Sequence, residues 1–307
     1  MQIVLPGALP DQPQARELAK HLSSTAPTLA GWLAAGRATV SSVPVATACC
    51  TPFEQWQLQE RGFVPRPGQA LAAGLGPLWQ QSPGVDDNTA IWLAELVHIS
   101  PSRDGAVLLP ASSLSINAEH SAALLQDAAK LFEDTVFSVH ADTTERWRIS
   151  APADFSPAVP SPELVSITSV NDWWKQDEHT RPWRRLFNEL QMSWFNHPVN
   201  EQRAQQGLAP INGLWLFGGA GSKQLTTADA PQTSVHPALY EYSMKQDWGG
   251  WLAALKELEQ SVFAPAGKTP PQRLVLTGRD RIVEIVPDRR WWRRFIKPSS
   301  DHWSSWW

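Results

Sequence analysis

The chain has 307 residues, of which 42% are hydrophobic, and 26 basic against 30 acidic side chains give a net charge of −4. It has no basic tail or stripe of the kind that binds nucleic acid, and its apolar runs are far shorter than the roughly 20 residues of a membrane span. We therefore expect neither a nucleic-acid partner nor a membrane partner.

Strand and helix signals alternate along the chain, which predicts an α/β fold. In chain order, the patterns predict a strand at 3–5, helices that begin near Pro13, Pro27 and Phe53, strands at 89–97 and 105–109, a helix at 121–132, strands at 135–140 and 146–149, a helix at 182–195, a helix after Asp247, and strands at 273–277 and 281–286.

Two sequence patterns, one typical of a turn and one typical of a linker, bear on the architecture. Gly278, Arg279 and Asp280 have the signature of a hairpin, so a small antiparallel patch is expected near the C-terminus. The proline-rich stretch 151–162 predicts a linker or an extended crossing. We expect one α/β domain over residues 1–307, with this crossing as the alternative boundary between two lobes.

The two cysteines, Cys49 and Cys50, are adjacent, and neighbouring cysteines bridge poorly for geometric reasons. The start of the chain does not have the basic and apolar segments of an export signal. We therefore expect a location in the reducing cytoplasm. Because the chain has neither a CxxC pair nor a Cys/His zinc spacing, no metal and no cofactor is expected.

Tryptophan is unusually frequent, with 17 residues against 2 tyrosines. Most of these side chains are expected in the core, because the indole carries a large apolar area. The terminal segment contains Trp303, Trp306 and Trp307, which would be costly to expose. Two alternatives follow: this tail docks on its own domain, or it forms the contact of a homodimer.

The most informative segment is HPVNEQRAQQGLAPINGLWLFGGAG, residues 197–221. His197, Asn200 and Arg203 recur at three-residue intervals, so on a helix they project to overlapping sides. An arginine fork beside a histidine suits a phosphate or an oxyanion, and Asn212 adds a neutral donor. These four are the predicted ligand-binding residues. The alternative is structural, with the same side chains capping a helix and holding the turn.

The apolar run 214–217 is followed by Gly218, Gly219 and Gly221. This order predicts a buried strand that ends in a loop, where the backbone can approach a ligand closely. The sequence GGAGSK has neither the Walker spacing nor the GxGxxG pattern. A turn at the end of the strand is therefore the expectation.

Thr47 and Cys49 are the candidates for a catalytic nucleophile. Thr51 and Pro52 have the pattern of a helix start, which would lower the pKa of a nearby cysteine, although a reactive thiolate also needs a base. The alternative is that both cysteines are buried and structural.

Residues 197–221 also resemble a segment of the archaeal-type cofactor-independent phosphoglycerate mutases, within the alkaline phosphatase superfamily. The matching residues are Pro198, Val199, Asn200, Arg203, Gly207, Pro210, Asn212, Trp215, Leu216, Gly218 and Gly221. Residues 28–36 are similar to the helix that follows the first strand of that superfamily, and the whole chain resembles bacterial phosphoglycerate mutase-like proteins. The resemblance implies an alkaline-phosphatase-like, mostly parallel central sheet flanked by helices.

The metal ligands of that superfamily have no counterpart in this sequence. Pro6 and Gly7 stand where its first strand ends in Asp-Gly, and no aspartate follows the nucleophile region at 44–50. Asp301 and His302 lie too close to the end to supply the later motifs. Two metals clamp the attacking and leaving oxygens in such sites, so the resemblance implies a metal-free relative.

Two hypotheses follow. In the first, the protein is phosphoglycerate mutase-like, has lost metal-dependent phosphoryl transfer and is a non-catalytic binding or regulatory protein for a phosphorylated small molecule. In the second, it is a phosphotransferase or phosphatase-type enzyme of altered mechanism, with Thr47 or Cys49 as nucleophile and His197 and Arg203 at the phosphate. A coincidental match of the segment is the third alternative.

Overall fold

The computed structural model describes residues 2–81, 88–103, 105–174, 176–227, 233–267, 269–287 and 306. Its strands are β1 (Gln2–Leu5), β2 (Gly36–Ser42), β3 (Ile91–Ser102), β4 (Gly105–Leu109), β5 (Ser138–Ala141), β6 (Arg146–Ser150), β7 (Gly213–Ala220), β8 (Thr233–Val235), β9 (Arg273–Thr277) and β10 (Arg281–Pro287).

The helices are α1 (Gln12–Thr25), α2 (Pro27–Ala35), α3 (Val45–Ala48), α4 (Pro52–Glu60), α5 (Leu75–Trp79), α6 (Ala118–Phe132), α7 (Pro162–Ser166), α8 (Val170–Trp173), α9 (Arg181–Phe195), α10 (Pro198–Gln205), α11 (Tyr240–Met244), α12 (Trp248–Leu258) and α13 (Ala264–Ala266). Among the described residues, no helix combines the length and the apolar character needed to cross a bilayer.

The chain divides into two compact units. The first joins residues 1–44 to residues 229–307, and the second comprises residues 45–228. The proline-rich stretch 151–162 lies inside the second unit, so it does not separate the two. The expectation of one domain over 1–307 stays a prediction.

The first unit is built on a mixed sheet in the order β2-β10-β9-β1-β8. β1 pairs in parallel with β8 and with β9, where Gln2 is opposite Arg273. β9 and β10 form an antiparallel hairpin, which confirms the patch predicted near the C-terminus. β10 also pairs antiparallel with β2, a strand that the sequence patterns did not predict.

The core of the first unit joins its sheet to apolar side chains of α1, α2 and α12. Trp32 and Trp251 are buried there, and their indole N–H groups donate to the carbonyls of Gly267 and Gly7. Trp306 lies in the same cluster and is 9% exposed. The position of Trp306 agrees with a tail that docks on its own unit. Trp303 and Trp307 lie outside the described residues, and the homodimer stays a prediction.

The sheet of the second unit is antiparallel throughout its described pairs. β3 pairs with β7 on one side, with β6 on the other and with β4 at its far end, and β6 also pairs with β5. The expected mostly parallel central sheet is therefore not confirmed. That expectation came from the family resemblance. The apolar run of β3 does not indicate a direction, because a parallel strand and an antiparallel strand covered on both faces have the same pattern.

Helix α9 follows its sequence pattern closely. The predicted stripe, Trp183, Leu186, Phe187, Leu190 and Trp194, forms its buried side. Four of these side chains belong to the main core of the second unit, together with Trp92, Trp147 and Leu216 from the sheet. This packing fixes the end of α9, and α10, with the His197 segment, starts from that end.

Candidate functional site

His197 lies between α9 and α10 and caps the second of these helices. Its Nδ1 accepts a hydrogen bond from the backbone N–H of Val199, at 3.2 Å. An N-terminal N–H group of α10, which has no partner inside the helix, is thereby satisfied.

Asn200 is buried and holds the turn between α10 and β7 in place. Its Nδ2 donates to the carbonyls of Trp194 and Ile211, both at 2.8 Å, and its Oδ1 accepts from the N–H of Ile211 at 2.8 Å. The side chain therefore ties the end of α9 to the start of the next strand.

Arg203 is fully buried, and its guanidinium bonds to the protein from all three nitrogens. Nε donates to the carbonyl of Ala209 at 2.8 Å, Nη2 donates to the carbonyl of Leu114, and Nη1 lies 3.2 Å from Nδ1 of His120. Burial, and then the positive charge of Arg203, lower the pKa of His120. A neutral His120 is the form that can accept this bond.

Asn212 acts as an extension of the sheet. Its Oδ1 accepts from the N–H of Ile99 at 2.7 Å, and its Nδ2 donates to the carbonyl of Ile99 at 2.8 Å. The side-chain amide thus pairs with β3 as a backbone amide would. Each of the four predicted residues hydrogen-bonds to the protein itself, and a ligand role for them stays a prediction.

The candidate nucleophiles have contacts other than those of the His197 cluster. Thr47 is exposed on α3, and Cys49 is buried with a left-handed backbone, φ 57°. Cys49 contacts Ala46 and Ser161, whereas Arg203 contacts Leu114, His120 and Ala209. For the neighbouring Cys50, burial and then the charge of Glu54 raise the pKa of the thiol. The expected lowering of a cysteine pKa is wrong for this residue.

Beside the cysteines lies a buried carboxyl that the sequence analysis did not single out. Oε2 of Glu54 accepts from the N–H of Thr51 and from Oγ of Ser161, both at 2.7 Å. Burial raises the pKa of Glu54 to about 7. The spacing Thr51-x-x-Glu54 is that of a capping box, and this signal was available in the sequence.

Glu95 on β3 is the second buried carboxyl. It accepts from the N–H of Ala111 at 3.0 Å and from Nε of Arg146 at 2.8 Å. Burial raises the pKa of Glu95 despite this ion pair. Burial, followed by the charges of Glu95 and Glu54, raises the pKa of the half-buried Glu163 to about 8. Among the described residues, no group of three or more His, Cys, Asp or Glu side chains has a metal-binding arrangement.

The glycines of the predicted motif form a β-bulge instead of a turn at the end of the strand. β7 continues through Gly218 and Gly219 to Ala220, and Gly221 follows the strand. Trp92 pairs with Gly218, and Ile91 pairs with Ala220, so Gly219 has no partner in β3. Gly219 has φ 106°, and a Cβ atom there would lie 2.6 Å from the Trp92 ring. Only glycine fits this position.

The bulge opens on a cavity of about 250 Å³, which we call the bulge cavity. Its wall includes Arg66, Gly68, Gln69, Trp92, Ser156 and Gly219. Gln69 links two parts of this wall, because its Nε2 donates to the carbonyl of Gly219 at 3.1 Å and its Oε1 accepts from the N–H of Arg66 at 3.0 Å.

Two polar groups of the bulge cavity have no protein partner among the described residues. Trp92 is 2% exposed, and its indole Nε1 has no hydrogen-bond acceptor. Arg66 is exposed and forms no ion pair with a described residue. The wall therefore offers a cation, the guanidinium of Arg66, whereas the Trp92 nitrogen is covered by protein atoms. No sequence signal identified these two residues, since only the fold brings them to one cavity.

No protein-family model matches this chain, and no curated protein matches it. Among solved structures, it is similar to a cofactor-independent phosphoglycerate mutase from Thermoplasma acidophilum DSM 1728, with 12% identity, 94% of this chain and 90% of that chain covered, and a TM-score of 0.34. It is also similar to the PH0037 protein from Pyrococcus horikoshii, with 11% identity, 93% and 86% covered, and a TM-score of 0.45. These low scores assign no activity and no residue role to this chain.

The contacts of Arg203 generate a stability prediction. In Arg203→Met, the carbonyls of Leu114 and Ala209 lose a charged donor while they stay buried, so we expect the free energy of unfolding to fall by about 2–5 kcal/mol. Urea unfolding measures the change. The control is Arg103→Met at an exposed position, which should change stability by no more than about 0.5 kcal/mol. A similar small change in both variants would contradict the prediction.

Glu54 generates a prediction on pH. Because its pKa in the folded protein, about 7, lies above the ordinary value of 4.5, the native state binds this proton more tightly than the unfolded chain does. Stability should therefore be highest below the ordinary value and should fall as the pH rises through 7. Glu54→Gln keeps an acceptor for Thr51 and Ser161, so it should be more stable than the natural protein at pH 8, by up to about 3 kcal/mol.

The measurement is urea unfolding at a series of pH values from about 4 to about 8. At the acidic end, Glu54→Gln and the natural protein should have nearly equal stability, because the carboxyl is then mostly protonated in both the folded and the unfolded chain. Glu257→Gln, at an exposed position of α12, is the matched control for the loss of one carboxylate. A Glu54→Gln variant that is less stable than the natural protein at pH 8 would refute the assignment.

Proposed function

We propose that this protein binds a small phosphorylated molecule in the bulge cavity, and that it acts by binding and not by metal-dependent phosphoryl transfer. The observation that carries the proposal is Arg66, an exposed cation in the cavity wall that forms no ion pair with a described residue. A phosphate oxygen in the cavity would give this guanidinium a partner of opposite charge.

The chemistry of Arg66 indicates the class of ligand. A guanidinium matches the oxygen atoms of a phosphate with paired hydrogen bonds, and Arg66 is the one charged residue among the described residues that line the cavity. The space beside Gly219 holds the Trp92 ring, so this glycine serves the packing of the wall. The charge of Arg66 favours an anion over a cation or an apolar ligand.

The second hypothesis, an enzyme with Thr47 or Cys49 as nucleophile and His197 and Arg203 at the phosphate, stays a prediction. The hydrogen bonds of Arg203 to two carbonyls do not favour it, because they engage the group that the phosphate would need. A cytoplasmic location and a homodimer through the tryptophan-rich tail also stay predictions.

The test is calorimetric titration with 3-phosphoglycerate, with inorganic phosphate, and with glycerate as the ligand without a phosphate. We expect the first two to bind and glycerate to bind at least tenfold more weakly. Arg66→Gln removes the charge and should weaken the binding of 3-phosphoglycerate about tenfold or more, which corresponds to about 1.4 kcal/mol of binding free energy. Thermal unfolding of each variant reports its folding.

Arg103→Gln is the matched control, since it removes the same charge from an exposed position outside the cavity wall. Arg203→Lys tests the ligand site predicted from the sequence, at His197, Asn200, Arg203 and Asn212. If a folded Arg203→Lys variant no longer binds the ligand and the Arg66→Gln variant still binds it, the ligand site is the His197 cluster and not the bulge cavity. No binding of any phosphorylated probe to the natural protein would end the proposal.

A further inference from the structure

Strand β2 forms one edge of the sheet in the first unit. It pairs with β10 along its whole length, from Gly36 opposite Pro287 to Ser42 opposite Arg281, and none of the described strands pairs with its outer side. An edge of this kind carries a row of N–H and C=O groups that can pair with another strand.

One hydrogen bond fixes which residues of β2 direct their backbone groups outward. The N–H of Val43 donates to the carbonyl of Asp280 at 2.7 Å, so the backbone of Val43 faces β10. Backbone direction alternates along an antiparallel strand. Arg37, Thr39 and Ser41 therefore face β10 as well, and the backbone groups of four residues face outward, at Gly36, Ala38, Val40 and Ser42.

Strand β2 has few of the usual protections of an edge. It has seven residues, it contains no proline, its one charged residue is Arg37, and its pairing with β10 has no bulge. Val40 is 50% exposed, although valine favours burial. The opposite edge differs in length, because β8 has only three described residues. Proteins commonly shorten an edge in this way to prevent pairing.

The geometry points to β2 as the interface with a second copy of this chain, paired antiparallel across a two-fold axis at Thr39. In this register Gly36 lies opposite Ser42 of the second copy, and Ala38 lies opposite its Val40. Outward-facing groups thus meet outward-facing groups at every hydrogen-bonded pair. The register is self-complementary, as a two-fold interface requires.

The side chains also fit this register. Ala38 lies against the core of the first unit, and Val40 is on the same face of β2. Val40 of each copy would lie beside Ala38 of the other and lose its exposure. On the opposite face, Thr39 meets Thr39, a favourable cross-strand pair. Arg37 is the only charged residue of β2, and it lies opposite Ser41, so no like charges are opposed.

The first experiment measures the mass of the full chain by analytical ultracentrifugation over a range of concentrations. A single strand pair buries little area, so we expect a weak dimer whose fraction rises with concentration. Val40→Lys places a charge at the edge and should weaken the dimer at least tenfold. Val235→Lys makes the same change at the opposite edge, where the valine is 40% exposed, and should leave the dimer unchanged.

The second experiment tests the register by disulfide formation under mild oxidation. Thr39→Cys should link two chains, because directly opposed Cα atoms in a pair without hydrogen bonds are about 4.5 Å apart. Ser41→Cys is the control on the same face. Its two copies are four residues apart along the strands, about 13 Å, which is too far for a disulfide.

Three results would overturn the proposal. The first is a monomer at every attainable concentration. The second is a dimer that Val40→Lys leaves intact; if removal of residues 303–307 then dissociates it, the interface lies in the tryptophan-rich tail. The third is equal cross-linking of Thr39→Cys and Ser41→Cys, which would indicate random collision and not a defined strand pair.

Discussion

The second unit depends on the pairing of one long strand. β3 has twelve residues and pairs with β7, β6 and β4, so three other strands take their positions from it. The polar features of this unit follow from the same strand. Trp92 lies opposite the bulge, Glu95 holds Arg146, and Ile99 pairs with the side chain of Asn212. A change in the register of β3 would displace all three together.

The buried charged side chains of this unit are stabilised by hydrogen bonds to main-chain groups more than by ion pairs. Arg203 donates to two carbonyls and contacts His120, and none of the described carboxylates forms an ion pair with it. Glu54 likewise accepts from an N–H and a hydroxyl. Such groups are held by fixed dipoles whose geometry the fold must maintain. The buried polar side chains near residue 200 are therefore part of the architecture, whatever ligand the protein binds.

The sequence predicts the elements whose signal is local. The apolar stripe of α9 and the turn residues between β9 and β10 each determine their own element, and the structure confirms both. β2 escapes prediction because Ala38, Thr39 and Ser41 have no strong pattern, and their strand conformation depends on β10. The run 91–97 predicts a buried strand but not the direction of its neighbours, since full burial gives the same pattern in either kind of sheet.

The candidate site is harder to predict, because its parts come from distant places in the chain. Arg66, Trp92 and Gly219 share one cavity only after β7 skips a residue against β3, and a single sequence does not reveal that shift. At the His197 cluster the difficulty is chemical. Histidine, asparagine and arginine offer the same hydrogen bonds to a carbonyl as to a ligand, so residue type and spacing leave both roles open.

The first unit is assembled from the two ends of the chain, and this order affects how it is made. Gln2 pairs with Thr233 and with Arg273, so β1 has its neighbours only when residues 233–277 have been synthesised. A nascent chain that stops before β8 holds an apolar strand and two helices without their sheet. Pairing between such distant segments is slow, and an exposed apolar strand aggregates. During translation, this apolar segment is therefore exposed to aggregation until its strand partners are made.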